Sequence, residues 1–247
     1  MLGSMHTLLP EHSLSNAICM PELWLEQLAI FLTAGSAFTL INNLAPLHIA
    51  LGGSEHGEAT LVAIFSSGNC GGRLCAGFFS DVALRRFGIG RAGPLAVAAV
   101  INGVALLLVF KSGMSALLAG CALCGFAYGC ANALAPTLIS ELHGLRNFAL
   151  LYNWVFLGSV GGSYVFASAL TVAVYEHAMA DPVNHAHGNA ASLRCLGDAC
   201  FRTTLFVSAV ASFGGSAFYL VLAKRTHHHY KLLQRASQKL SECGTEL

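Results

Sequence analysis

From residue 112 to residue 140 the chain carries no charged side chain, and the same holds for 92–110, 147–175 and 203–223. Runs of that length constrain the fold more than any other feature. About 20 consecutive apolar residues in a helix cross the roughly 30 Å hydrocarbon core of a bilayer. A buried bundle in a soluble protein is the competing reading, but its helices need polar faces, and 94–110 offers only Asn102. Charged residues make up 10% of the chain, against about 25% in a soluble domain. The chain is too poor in charge to coat itself with water-facing side chains, so the expected class is an all-α polytopic membrane protein.

Six apolar runs are long enough to span: roughly 23–45, 59–80, 94–110, 115–139, 148–175 and 203–223. The expected organisation is a cytosolic N-terminal segment (1–22), a six-span unit (23–223) and a basic cytosolic tail (224–247). The first 22 residues hold neither Lys nor Arg and no further span, so no signal peptide is expected there. Orientation follows from Lys and Arg placement. Arg85, Arg86, Arg91, Arg146, Lys224, Arg225, Lys231, Arg235 and Lys239 fall on the side shared by both termini; only Lys111, Arg194 and Arg202 fall on the other. That bias puts both termini in the cytosol. The tail residues 230–240 alternate apolar and basic side chains and read as a helix, either surface-bound on the membrane or soluble.

Polar side chains at membrane depth are costly and point to function or to helix–helix bonding. Ser36, Thr39 and Asn43 share a face of the first span; Asn69 and Arg73 are i, i+4 neighbours in the second. Tyr128, Asn132 and Pro136 share a face of the fourth, and Tyr152, Asn153 and Trp154 cluster in the fifth. Thr39, Asn43, Asn69, Tyr128, Asn132 and Asn153 are the candidate lining of a pathway for a small polar solute. The competing reading is hydrogen bonding between helices. Gly68/Gly72, Gly125/Gly129 and Gly158/Gly162 have G-x-x-x-G spacing, which lets backbones approach closely in lipid. Arg73, inside a span, braces the bundle or meets the solute.

Net charge is +1, and no basic patch is interleaved with aromatics, so a nucleic-acid partner is not expected. No enzyme constellation emerges: Ser140, Glu141 and His143 sit at a helix end without a third partner or a phosphate-binding loop. No cofactor or metal site is expected. Cys121 and Cys124 have C-x-x-C spacing within an apolar run and read as small hydrophobes. Cys195 and Cys200 lie in a polar outer loop and are a candidate disulfide, the alternative being two free thiols. The histidines at 177, 185, 187 and 227–229 lack fixed ligand spacing and read as solvated.

Gly77-x-x-x-Asp81 followed by Arg85 and Arg86 resembles the major facilitator superfamily loop pattern G-x-x-x-D-(R/K)-x-G-(R/K)-(R/K). It departs at Val82, where a base is expected, and at Leu84, where a glycine is expected. "INNLAPLHIALG" (41–52), "GRLCAGFFSD" (72–81), "PTLISELHGLRNFALLYN" (136–153), "GGSYVFASAL" (161–170) and "CLGDACFR" (195–202) together resemble the C-terminal half of nodulin-like transporters of that superfamily. The resemblance implies that the six spans are the seventh to twelfth of a twelve-helix protein. It implies that the first, second, fourth and fifth face a central cavity while the third and sixth lie outside. It makes Gly77, Asp81, Arg85, Arg86 and Arg73 a candidate cytosolic gate, with Asp81 set against the start of the fifth span near Arg146. It also implies the partners: a bilayer, a small solute, and a second six-helix half or a second copy. The function so implied is alternating-access transport. An inactive fragment or a regulatory subunit that pairs with a full transporter is the alternative, and an oligomeric channel a weaker one.

Overall fold

The computed structural model describes residues 14–54, 57–111, 113–179 and 199–244, and all regular structure among them is helical. In chain order the helices are α1 (Leu14–Ile18), α2 (Pro21–Asn42), α3 (Leu44–Ala50), α4 (Glu58–Phe87), α5 (Ala92–Phe110) and α6 (Met114–His143). There follow α7 (Phe148–Gly162), a π-helical stretch (Ser163–Leu170), α8 (Thr171–Met179) and α9 (Ala199–Gly244).

Among the described residues, five helical stretches are long and apolar enough to cross a membrane: Pro21–Asn42, Ala92–Phe110, Met114–His143, Phe148–Met179 and Cys200–His228. The second expected span, within α4, has the length, but Asn69, Arg73 and its run of serines and glycines make it more polar. α9 runs unbroken for 46 residues, through residues 223 and 224, where the expected span meets the expected tail.

Local chemistry sets the helix ends. Pro21 opens α2, where its missing N–H costs nothing. Gly88 closes α4 in the left-handed region (φ 64°), and the amides of Gly88 and Ile89 return to the Leu84 and Ala83 carbonyls. α7 passes without a break into the π-helical stretch, where the widened ladder weakens the usual i to i−4 bonding. The Thr171 hydroxyl donates to the Phe166 carbonyl at 2.9 Å, and the side-chain amide of Asn43, between α2 and α3, donates to the Ala167 carbonyl at 3.0 Å.

Around the bundle the helices neighbour one another in the order α7, α2, α9, α5, α6, α4. The three G-x-x-x-G pairs all lie at crossings. A Cβ added at Gly72 would run into the Phe126 carbonyl, one at Gly129 into the Asn69 carbonyl and one at Gly125 into the Phe65 carbonyl. On the other side Gly162 meets the Phe31 carbonyl and Gly35, and Gly158 meets the Gln27 carbonyl. Without a hydrophobic drive between helices in lipid, such backbone contact supplies much of the attraction. Leu74, Phe78, Phe79, Leu157 and Tyr164 remain well exposed on the outer faces of α4 and the α7 stretch, as lipid contact requires. Trp24, half-exposed, donates from its indole to the Ile18 carbonyl at 2.8 Å and meets Trp154 edge-on at 6.1 Å.

Candidate functional site

The short turn between α4 and α5 sets Arg91 at the head of α5, close to the ends of α4 and α6 and to Tyr230, well inside α9. Its guanidinium reaches Asp81 on α4 at 2.6 Å, the Ser80 hydroxyl at 2.9 Å and Glu141 on α6 at 3.0 Å. The second oxygen of Glu141 accepts from the Tyr230 hydroxyl of α9 at 2.8 Å. One guanidinium thus ties together the same end of α4, α5 and α6, and Glu141 adds α9. Burial alone would lower the Arg91 pKa, but Glu141 and then Asp81 outweigh it and hold the group above its usual range. Burial, and after it Glu141, push the Tyr230 phenol well above its usual range. The sequence reading expected Asp81 to face the start of the fifth span near Arg146. Instead Asp81 pairs with Arg91, because the turn through Gly88 and Gly90 folds that arginine back onto α4.

Deeper in the bundle, Tyr128 and Asn132 line a cavity of about 40 Å³ between α2, α6 and α7, together with Thr33, Tyr152, Ser159 and Tyr219. Tyr128 is held by Phe38 and Phe65, with ring centroids at 5.5 and 5.9 Å. The Asn132 amide donates to the Tyr128 carbonyl at 2.9 Å, on the turn before Pro136. A larger cavity, about 660 Å³, opens at the other end between Asn43, Thr171, Tyr175 and Phe201.

The remaining sequence candidates disperse. Thr39 is buried against α9, 3.1 Å from the Ser208 hydroxyl, so it bonds between helices. Asn69 accepts from Arg73 at 3.0 Å on the exposed side of α4. Asn153 is exposed and its amide returns to the Ala149 carbonyl of its own helix at 2.7 Å. Gly77, Arg85 and Arg86 are exposed on the last turns of α4, and Gly77 has open space around it. Cys200 is disulfide-bonded, while Cys195 lies outside the described residues. Cys121 and Cys124 are buried free thiols. His185 and His187 lie outside the described residues, among which no group of side chains could hold a metal ion.

The sequence reading missed several residues. Asn102 is the hub of the bundle interior: its amide donates to Ser36 on α2 and Ser212 on α9, both at 3.0 Å, and its oxygen accepts from Cys124 on α6 at 3.2 Å. Ser212 and Ser216 also bond to the Ala99 and Ala96 carbonyls of α5, both at 2.9 Å. The signal was present, since Asn102 is the one polar side chain in its run. Arg91 counted only as a topology charge and Glu141 only as a helix-end residue. Glu26 lies inside the first span, and a lone acid there was a signal in its own right.

The chain is similar to the family described as NFD4, C-terminal domain, over residues 11–232. It is also 30% identical over 164 residues, 62% of its length, to a protein of Escherichia coli (strain K12) called the uncharacterized MFS-type transporter YhjX. It covers 37% of that relative's length. The family match takes in α1 to α8 and α9 as far as residue 232, and with them Asp81, Arg91 and Glu141. The chain belongs to the NFD4 C-terminal domain family, the C-terminal half of the nodulin-like proteins of the major facilitator superfamily.

Proposed function

We propose that the chain is a six-span half of a secondary transporter that moves a small polar solute by alternating access, with both ends in the cytosol. The observation that carries this reading is the ion-pair cluster around Arg91. It joins the ends of α4, α5 and α6 to Tyr230 within α9 through contacts that are directional, partly solvated and breakable. Asp81, with its side chain 54% exposed, is the weak member. It can leave Arg91 without stranding a buried charge, whereas Glu141 at 16% cannot. In this reading the Asp81–Arg91 pair latches α4 and α5 together while the cytosolic end is closed, with Gly77, Arg73, Arg85 and Arg86 on the moving side.

The solute would pass along the face where α2, α6 and α7 diverge, meeting Tyr128, Asn132 and, toward the outer end, Asn43. The whole-protein relative is much longer than this chain, so a complete pathway would require a second six-helix half or a second copy, with the midplane site between them. Small polar solutes suit the few hydroxyl and amide groups there; no charged side chain lines that cavity to select an ion.

The test is reconstitution of the chain alone and with candidate partner halves, followed by flux measurement and labelling with cytosolic thiol reagents. Asp81→Asn is expected to raise labelling of cytosolic-end cysteines without loss of insertion. Unchanged labelling would reduce the cluster to a topology signal. A stable monomer that moves no solute, while labelling still responds to Asp81→Asn, would favour the regulatory-subunit reading.

A further inference from the structure

Glu26 lies one and a half turns into α2 and is fully buried, and neither carboxylate oxygen has a hydrogen-bond partner. A carboxylate in such a place is costly as an ion and tolerable as the neutral acid. Nothing in the clamp around Arg91 uses it. Its position on the helix is informative. Ile30 and Thr33 follow at i+4 and i+7 on the same face, and both line the cavity between α2, α6 and α7. Tyr219, from α9, lines that cavity as well, lies against Thr33 and stands within electrostatic reach of Glu26. The carboxyl therefore sits between the cytosolic mouth and the cavity, on the side of α2 that looks into it.

The surrounding charges are already committed. One turn nearer the mouth, Glu22 pairs with Arg225 of α9 at 2.9 Å. Arg91, at the head of α5, and Tyr230 of α9 both engage Glu141 of α6. His143 ends α6, and Tyr152 is the titratable side chain of α7. α1 brings no titratable side chain. Among the described residues, no cation is therefore on hand to hold Glu26 as a resident ion pair.

We propose that Glu26 is the proton-binding site of the transport cycle, loaded as the neutral acid when the cytosolic half is closed and ionised when that half opens to water. This rests on the transporter reading. The step is acid–base only: an O–H bond forms with a proton taken from water at the mouth and breaks when the proton returns to water. Opening α2 away from α9 would give the carboxylate the hydration it lacks, so proton loss favours the open form and proton binding the closed one.

Two measurements on the whole chain in lipid nanodiscs test this. Infrared difference spectra taken across a pH titration should show the carbonyl stretch of a protonated carboxyl that is absent from Glu26→Gln and retained in Glu141→Gln. In parallel, maleimide modification of Cys19, exposed just before α2, is timed against pH. The ratio of wild-type to Glu26→Gln rates cancels the thiol's own ionisation. That ratio should rise several-fold with pH and follow the loss of the infrared band. Glu26→Asp, which keeps an acid, should restore a pH-dependent ratio. A band that survives Glu26→Gln, or a ratio flat in pH, overturns the proposal. Asp81→Asn, run alongside, separates the failures. If it shifts Cys19 labelling while the Glu26 ratio is flat, the gate stands and the proton site falls. If it shifts nothing while the Glu26 band titrates with the ratio, the latch falls and the proton site stands.

Discussion

Along α4 and α6 the backbones meet through Gly68, Gly72, Gly125 and Gly129. Along α2, α5 and α9 the helices are held by side chains instead, with Asn102 bonded to Ser36 and Ser212 and Ser216 bonded to the Ala96 carbonyl. Both seams answer the same difficulty, that lipid offers helices no hydrophobic reason to associate. The glycine seam relies on short-range dispersion between smooth surfaces, which resists separation but has little directional preference. The polar seam relies on aimed hydrogen bonds, which fix rotation and register. The difference is a division of labour: aimed hydrogen bonds around Asn102 set the rotation of α2, α5 and α9, while glycine contacts hold α4 close to α6 with less directional preference.

The sharpest way to break this contrast is to spoil the glycine seam. Gly72→Leu places a side chain against the Phe126 carbonyl and should destabilise by about 3 kcal/mol or more, read by thermal unfolding in detergent. Gly71→Leu, one residue away with open space around it, should change little. Equal effects would mean that α4 and α6 do not depend on close approach.

Next in size is Arg91→Ala. It takes the guanidinium away from Glu141, which is largely buried. Discounted for the exposed Asp81 side, the expected loss is about 2–3 kcal/mol. Arg91→Lys should recover only part of it, because an ammonium cannot reach Ser80, Asp81 and Glu141 with one planar fork.

Asn102→Ala tests the polar seam. Interhelical bonds in membranes average about 0.6 kcal/mol each, so losing three should cost about 1–2 kcal/mol. Ser212→Ala added to it should cost less than its effect alone, since the two share a bond. Full additivity would show that Asn102 is not the hub.

The smallest stability effect is expected for Asp81→Asn, below about 1 kcal/mol because its side chain is more than half exposed. Its signature is thiol accessibility at the Arg91 end of the bundle. A large stability loss with unchanged accessibility would turn the latch into an ordinary brace.

Much of this was legible in the chain itself. Charge-free runs marked the apolar helices, because hydrocarbon excludes charge and a helix satisfies its own backbone. The three G-x-x-x-G spacings foretold the close crossings at α4–α6 and α2–α7, since small residues four apart necessarily share a helix face. The family was readable from Gly77, Asp81, Arg85 and Arg86, all on the last turns of α4. Tyr128 and Asn132, which share a face and are expected to line a solute pathway, border the cavity between α2, α6 and α7; that a solute meets them there belongs to the proposal.

Partnership was beyond the sequence. Periodicity places a residue on a face but not opposite another helix, so Thr39, picked for a pathway, turned out to bond Ser208 of α9. Asp81 was matched to Arg146 because nothing in the spacing reveals that the turn after Gly88 returns Arg91 to α4. Glu141 and Tyr230 are 89 residues apart, and only the packing of α6 against α9 makes them one site. Glu26 was visible as an acid in a span, but that it is sealed from water with no partner is a property of six helices together. The sequence by itself determined five of the apolar helices and the family, because these follow from local composition and spacing. The tertiary structure alone decided which polar groups are satisfied and which are left waiting, because that depends on what each face meets.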